Sequence, residues 1–92
     1  MRVKDGLIVN KVMGDYVVMA SNPDIFKGML KINETGYFIF KAMEEDIDFD
    51  DIVEKLTDEY DVSKDKAEED VKSIISCLDG AGLIVKWLII WS

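Results

Sequence analysis

Lys27-Gly28-Met29-Leu30-Lys31-Ile32-Asn33-Glu34-Thr35-Gly36-Tyr37 is the stretch at which the chain changes character. Its first half mixes apolar and polar residues over a short run, as a strand does. Its second half opens a helix. Asn33 is the natural N-cap, because its short side chain can accept a hydrogen bond from an unpaired amide in the first turn. Before this junction the residues read as sheet; after it, up to Gly80, they read as helix. Ninety-two residues make one small domain. The reading predicts a single α+β domain over 1–92, with the sheet in 1–32, helices in 33–80 and an apolar tail at 83–92.

Working outward towards the N-terminus, residues 6–13 and 16–20 are rich in β-branched and apolar side chains, and Gly14-Asp15 between them is a turn signal. Two such runs around a tight turn read as a β-hairpin. Ser21-Asn22-Pro23-Asp24 is a cluster of turn formers, and Pro23 biases Asn22 away from helix. Residues 25–32 then return as a third strand of an antiparallel sheet. Towards the C-terminus the period changes. Tyr37, Phe38, Ile39, Phe40, Ala42 and Met43 give one helix a broad apolar face. Glu44-Glu45-Asp46 ends it, with charges set against the helix dipole. Asp48 is expected to cap a second helix, with Phe49, Ile52, Val53, Leu56 and Tyr60 as its core stripe. Ser63 caps a third, which buries Ala67, Val71, Ile74, Ile75 and Leu78. Gly80 and Gly82 can take the left-handed conformation that closes it. The tail, 83–92, reads as extended and sticky. It must lie against the sheet or the third helix, or serve as an interface.

Composition narrows the chemistry. Nearly half the residues are apolar, a third are charged, and one proline with six glycines argues against disorder. A single cysteine, Cys77, excludes an internal disulfide. The first residues lack the apolar run of a signal peptide. The longest apolar tract, 83–91, is interrupted by Lys86 and is too short to span a bilayer. No membrane association is expected, and the expected location is cytoplasmic. The net charge of −8 is uneven. Residues 1–31 hold five Lys/Arg against three Asp/Glu, a net of +2, whereas 32–82 hold five against sixteen, a net of −11. Such an acidic surface repels phosphate and disfavours nucleic acid. There is no histidine to serve as a neutral-pH acid or base. Cys77 lies beside the apolar stripe of the third helix and reads as a small hydrophobe; no histidine could activate it. Zinc fails for want of ligands, the acid runs lack calcium-loop spacing, and Gly80-Ala81-Gly82 is a helix stop rather than a phosphate cradle. A non-enzyme without metal or cofactor is expected.

Residues 49–84 have the rhythm of a winged helix–turn–helix: a helix to Tyr60, a short turn, and a longer helix with an Ala-Gly-Leu-Ile exit. A DNA-reading third helix would present Arg, Lys, Asn or Gln. This one presents Asp65, Glu68, Glu69, Asp70 and Asp79 against Lys64, Lys66 and Lys72. An acidic winged-helix protein acting as a transcriptional or structural partner is the alternative function.

The segment 30–36, Leu-Lys-Ile-Asn-Glu-Thr-Gly, resembles the Leu-Asn-Xaa-Thr/Ser-Gly/Ala segment of PqqD-like proteins, the family of pyrroloquinoline quinone biosynthesis protein D. The helix at 37–43, the block at 52–56 and the run at 71–84 are similar too, so the resemblance covers nearly the whole chain. It implies a winged helix–turn–helix-like fold, with an N-terminal three-stranded sheet followed by three helices. It further implies a non-catalytic module that binds the leader of a ribosomally made precursor peptide and presents it to a modifying enzyme, often a radical S-adenosylmethionine enzyme. In such proteins the leader adds as a strand on the third strand, in a groove against the third helix. Carried over, the docking strand is 28–32 with Gly28, Met29, Leu30, Lys31 and Ile32, flanked by Lys27. The groove wall is the third helix, 64–79; by three-to-four spacing Lys66, Asp70, Ser73 and Cys77 lie along one side of it, and Ile74 is expected at the site with them. The residues themselves fit this mode. Strand addition needs an unpaired edge, Gly28 would admit a second backbone, and Lys27 and Lys31 could pair with acidic leader residues. Proline at Leu30 is expected to remove a main-chain donor from that edge. The tail departs from the family pattern: Trp87 to Trp91 is unusually apolar, and could cover part of the groove or form a homodimer.

Overall fold

The computed structural model describes residues 1–85. Strands β2 (Leu7–Val12) and β3 (Asp15–Ala20) form the expected hairpin, in register from Leu7 opposite Ala20 to Val12 opposite Asp15. Its turn is Met13-Gly14, one residue earlier than Gly14-Asp15. Both turn residues have positive φ, 53° and 92°, the backbone that matches a two-residue turn to the twist of its strands. Asp15 is thereby released into β3.

A third strand, β4 (Leu30–Ile32), pairs antiparallel with β3 and gives the sheet order β2-β3-β4. It is shorter than either 25–32 or 28–32. Residues 21–25 are held in a turn, where the Asp24 amide donates to Asn22 Oδ1 at 2.9 Å and the Ile25 amide to the Asn22 carbonyl at 3.0 Å. Gly28 then takes φ 102°, outside the extended range. Gly28 and Met29 are therefore the approach to the strand and not part of it.

The tight turn also sets which way each main-chain group points. Val12 and Asp15 close the hairpin as a hydrogen-bonded pair, and such pairs alternate along the ladder. The Ser21 amide donating to the Gly6 carbonyl at 2.8 Å continues the same phase. Tyr16 and Val18 thus turn their main-chain groups towards β4, where they meet Ile32 and Leu30.

Three helices follow, as expected. In α1 (Glu34–Ala42) the Asn33 cap accepts from the Gly36 amide at 2.8 Å. The first residue before α2 (Phe49–Glu59), Asp48, has the extended backbone of a cap but makes no side-chain cap bond. Helix α3 (Lys64–Gly80) is capped by Ser63, whose hydroxyl accepts from the Lys66 amide at 3.2 Å. Its end is a Schellman closure: the Gly82 amide donates to Asp79 and the Leu83 amide to Leu78, both at 2.9 Å. Gly82 carries the left-handed φ of 75°, while Gly80 stays helical.

Two of the three acids after α1 have partners. Lys41 pairs with Glu44 at 2.6 Å and the Met1 amino group with Asp46 at 2.7 Å. The N-terminal residues reach this point because β1 (Arg2–Val3) pairs with β5 (Ile84–Val85) in a separate two-stranded ribbon. The Val3 amide donates to the Met43 carbonyl and the Lys4 amide to Leu83, both at 2.9 Å. That ribbon went unforeseen, since neither two-residue partner carries a strand pattern by itself.

The core lies between the inner sheet face and the helices. Val18, Ile32, Ile39, Phe40, Met43, Ile52, Leu56, Val71, Leu78 and Leu83 are buried. Rings tie α1 to both neighbours: Tyr16 stacks on Tyr37 with centroids 4.1 Å apart, and Phe38 meets Tyr60 edge-on at 5.5 Å. On α3, Ala67, Val71 and Leu78 are buried as expected, whereas Ile74 and Ile75 are half-buried. Cys77 is exposed rather than a core hydrophobe. Leu83 and Ile84 belong to the core. Residues 86–92, with Trp87 and Trp91, lie outside the described residues, and with them the covering of the groove and the tail-mediated homodimer.

Candidate functional site

The site grows out of the junction at 27–37. β4 is an edge strand, and its pairing with β3 consumes the main-chain groups of Leu30 and Ile32. Alternation then turns the amide and carbonyl of Lys31 outward, away from the sheet. The Lys31 side chain lies on the outer face, where it pairs with Asp15 at 3.2 Å. Leu30 is half-buried against the core and Ile32 is buried within it. Met29 is 71% exposed, and Lys27 and Gly28 before it are exposed as well. One expectation is corrected here. The Leu30 amide faces Val18, so proline there would remove a bond from the sheet; the donor on the free edge belongs to Lys31.

Beyond the end of β4 lies an open cleft of about 260 Å³, between the start of α1 and the stretch of α3 from Lys66 to Ile74. Asn33 and Thr35 form one wall; Lys66, Asp70, Ser73 and Ile74 form the other. The helices come this close because residue 36 is glycine. A Cβ there would sit 2.7 Å from Ile74 Cδ1 and 3.1 Å from Ile32 Cβ. Ile74 therefore occupies the space that any other residue at 36 would need. Lys66 donates to the Asp70 carboxylate at 2.9 Å across one helical turn. That hydrogen bond, with the charge of Asp70 behind it, raises the Lys66 pKa.

The structure thus brings Lys66, Asp70, Ser73 and Ile74 together in one cleft, next to the strand that holds Leu30, Lys31 and Ile32. Lys27, Gly28 and Met29 lead into that strand. Cys77 is on the exposed side of α3, outside the cleft lining. Sequence reasoning missed Asn33, Thr35 and Gly36 as site-builders. The signal is present in Asn-Glu-Thr-Gly, where the capping role of Asn33 accounts for the residue locally and hides its place beside α3.

An edge strand beside a part-apolar cleft offers main-chain hydrogen bonds plus a recess for alternate side chains. That combination recognises an extended peptide. Fold and site together define a small α+β binding scaffold.

The sequence profile described as coenzyme PQQ synthesis protein D (PqqD) matches residues 15–84, and the chain belongs to the PqqD family. Comparison with curated proteins gives no match. Among solved structures, the chain is similar to one described as TbiB1 in complex with the TbiA(beta) leader peptide, with a TM-score of 0.73 and 18% identity over 95% of this chain and 98% of that one. It is also similar to a lasso peptide synthetase B1 complexed with the leader peptide, with a TM-score of 0.69 and 20% identity over 92% and 96% of the two chains. At these identities the likeness is one of fold. Among the described residues no helix is long and apolar enough to cross a membrane.

Proposed function

We propose that this protein binds the leader segment of a ribosomally made precursor peptide and presents it to a modifying enzyme, taking no catalytic part itself. The supporting observation is the edge of β4, unpaired on its outer side among the described residues, beside the cleft on α3, in a chain of the PqqD family. The two similar structures were each captured with a leader peptide. The whole chain acts as one domain over 1–92, in the cytoplasm.

The leader adds a strand at β4 and exchanges main-chain bonds with Lys31. Its side chains then alternate between the outer sheet face and the inner side, where the cleft receives them. Lys27 and Lys31 suit acidic leader residues on the outer side. Strand addition fixes an otherwise disordered segment, so the modifying enzyme meets its substrate in one register. The experiment is an NMR titration with the leader peptide encoded beside this gene. Amide shifts are expected at residues 27–32 and along α3 from Lys66 to Cys77. Binding without shifts at those two places would overturn strand addition at β4, and absence of binding would overturn the function.

A further inference from the structure

The opposite edge of the sheet carries features that leader binding does not use. β2 is the other edge strand, six residues long, and among the described residues nothing pairs with its outer side. Four large hydrophobic residues are exposed among those described, and three of them lie together at this edge: Ile8 at 45%, Val12 at 50% and Met13 at 99%. Met13 also holds φ 53°, a left-handed backbone that a long apolar side chain rarely adopts. A six-residue edge with a single lysine and no proline or bulge is poorly guarded against pairing. It is also the electrically neutral part of a chain of net charge −8, since residues 7–20 contain only Lys11 and Asp15 as charges.

We infer that β2 is a self-association edge, which pairs antiparallel with β2 of a second copy across a two-fold axis at Asn10. Register selects that axis. The hairpin phase directs the main-chain groups of Ile8, Asn10 and Val12 to β3, leaving those of Leu7, Val9 and Lys11 pointing outward. A two-fold at Asn10 sets Val9 opposite Lys11 of the second copy, so outward donors meet outward acceptors in both halves. On the outer face it sets Ile8 against Val12 of the second copy, with the two Asn10 side chains in contact between these apolar pairs. At the tip it brings Met13 beside Leu7 of the second copy. Three exposed hydrophobic residues per copy are covered, and Lys11 faces Val9 rather than its own counterpart. A two-fold at Val9 would instead leave Val12 without an apolar partner. The product is a continuous six-stranded sheet with both β4 edges outermost, so each copy keeps its peptide edge open.

The test uses the full chain carrying Cys77→Ser, to remove the native thiol. Asn10→Cys in that background should form a disulfide-linked dimer under mild oxidation. Directly opposite residues lie about 4.5–5.5 Å apart, within disulfide reach. Lys72→Cys, on the exposed face of α3, is the control for random collision. Sedimentation of the unmodified protein at roughly 100 µM should show a dimer, which corresponds to a dissociation constant in the micromolar range or tighter. Ile8→Lys should return it to monomer with its circular dichroism and leader binding intact. The inference is overturned by a monomer at that concentration, by a dimer that Ile8→Lys leaves unchanged, or by cross-linking of the Asn10→Cys chain no faster than that of the Lys72→Cys chain. Retained leader binding in these variants separates this result from the peptide-binding proposal.

Discussion

Gly36 holds the site together at the scale of single residues. Alanine at this position gains helix propensity, worth up to about 1 kcal/mol, but forces a methyl group against Ile74 and Ile32. Overpacking of that kind costs about 1–3 kcal/mol, so Gly36→Ala should lower stability in urea denaturation. Adding Ile74→Val removes the offending Cδ1 and should restore part of the loss; two additive losses would show that the contact is not the cause. Asn33→Ala removes the α1 cap and should cost about 1 kcal/mol by the same measurement. Cys77 offers a chemical reporter: its thiol is exposed one turn beyond the cleft, so maleimide should label it readily in the free protein. A bound leader running along α3 should slow that labelling. At this scale the sequence was readable where a residue acts on its own neighbours, as Asn33 and Ser63 do. It was unreadable where the neighbour is remote, as Ile74 is from Gly36. Cys77 reads as a small hydrophobe beside the stripe but is exposed, because the apolar residues at 74, 75 and 78 leave its face ambiguous.

Among the elements, β4 decides both fold and function with three residues. Lys31→Pro deletes the amide on the free edge, and should abolish leader binding by calorimetry while leaving thermal unfolding nearly unchanged. Leu30→Pro deletes a bond to β3, and should unfold the sheet edge and lower the melting temperature. If the two variants behaved alike, the phase of the ladder would be wrong. At the other end of the helical layer, Gly82→Ala strains a left-handed position and should cost about 1 kcal/mol. Helices were legible nearly to the residue, because caps and period agree along 34–42, 49–59 and 64–80. The third strand was overestimated because residues 25–29 carry a strand-like composition. Only the Asn22 turn and the φ of Gly28 stop pairing there, and neither is a matter of composition. The β1–β5 ribbon joins two segments more than eighty residues apart, a pairing that no local pattern announces.

For the whole molecule, charge is the dominant asymmetry. The helical layer carries a net of −11 in residues 32–82, and its self-repulsion opposes the compact state. Raising salt from roughly 0.01 M to 1 M shortens the screening length from about 30 Å to about 3 Å. The melting temperature should rise accordingly, and a flat response would mean that the acids are already balanced by their local partners. Because Arg2 lies opposite Val85, the first and last described strands meet at a common corner. The Val3 bond to Met43 puts that corner at the finish of α1, whereas Asn33 and the cleft are at its start, roughly 15 Å away along the helix axis. A protein joined ahead of β1 would therefore be held at the end of α1 remote from the cleft, clear of the peptide-binding edge.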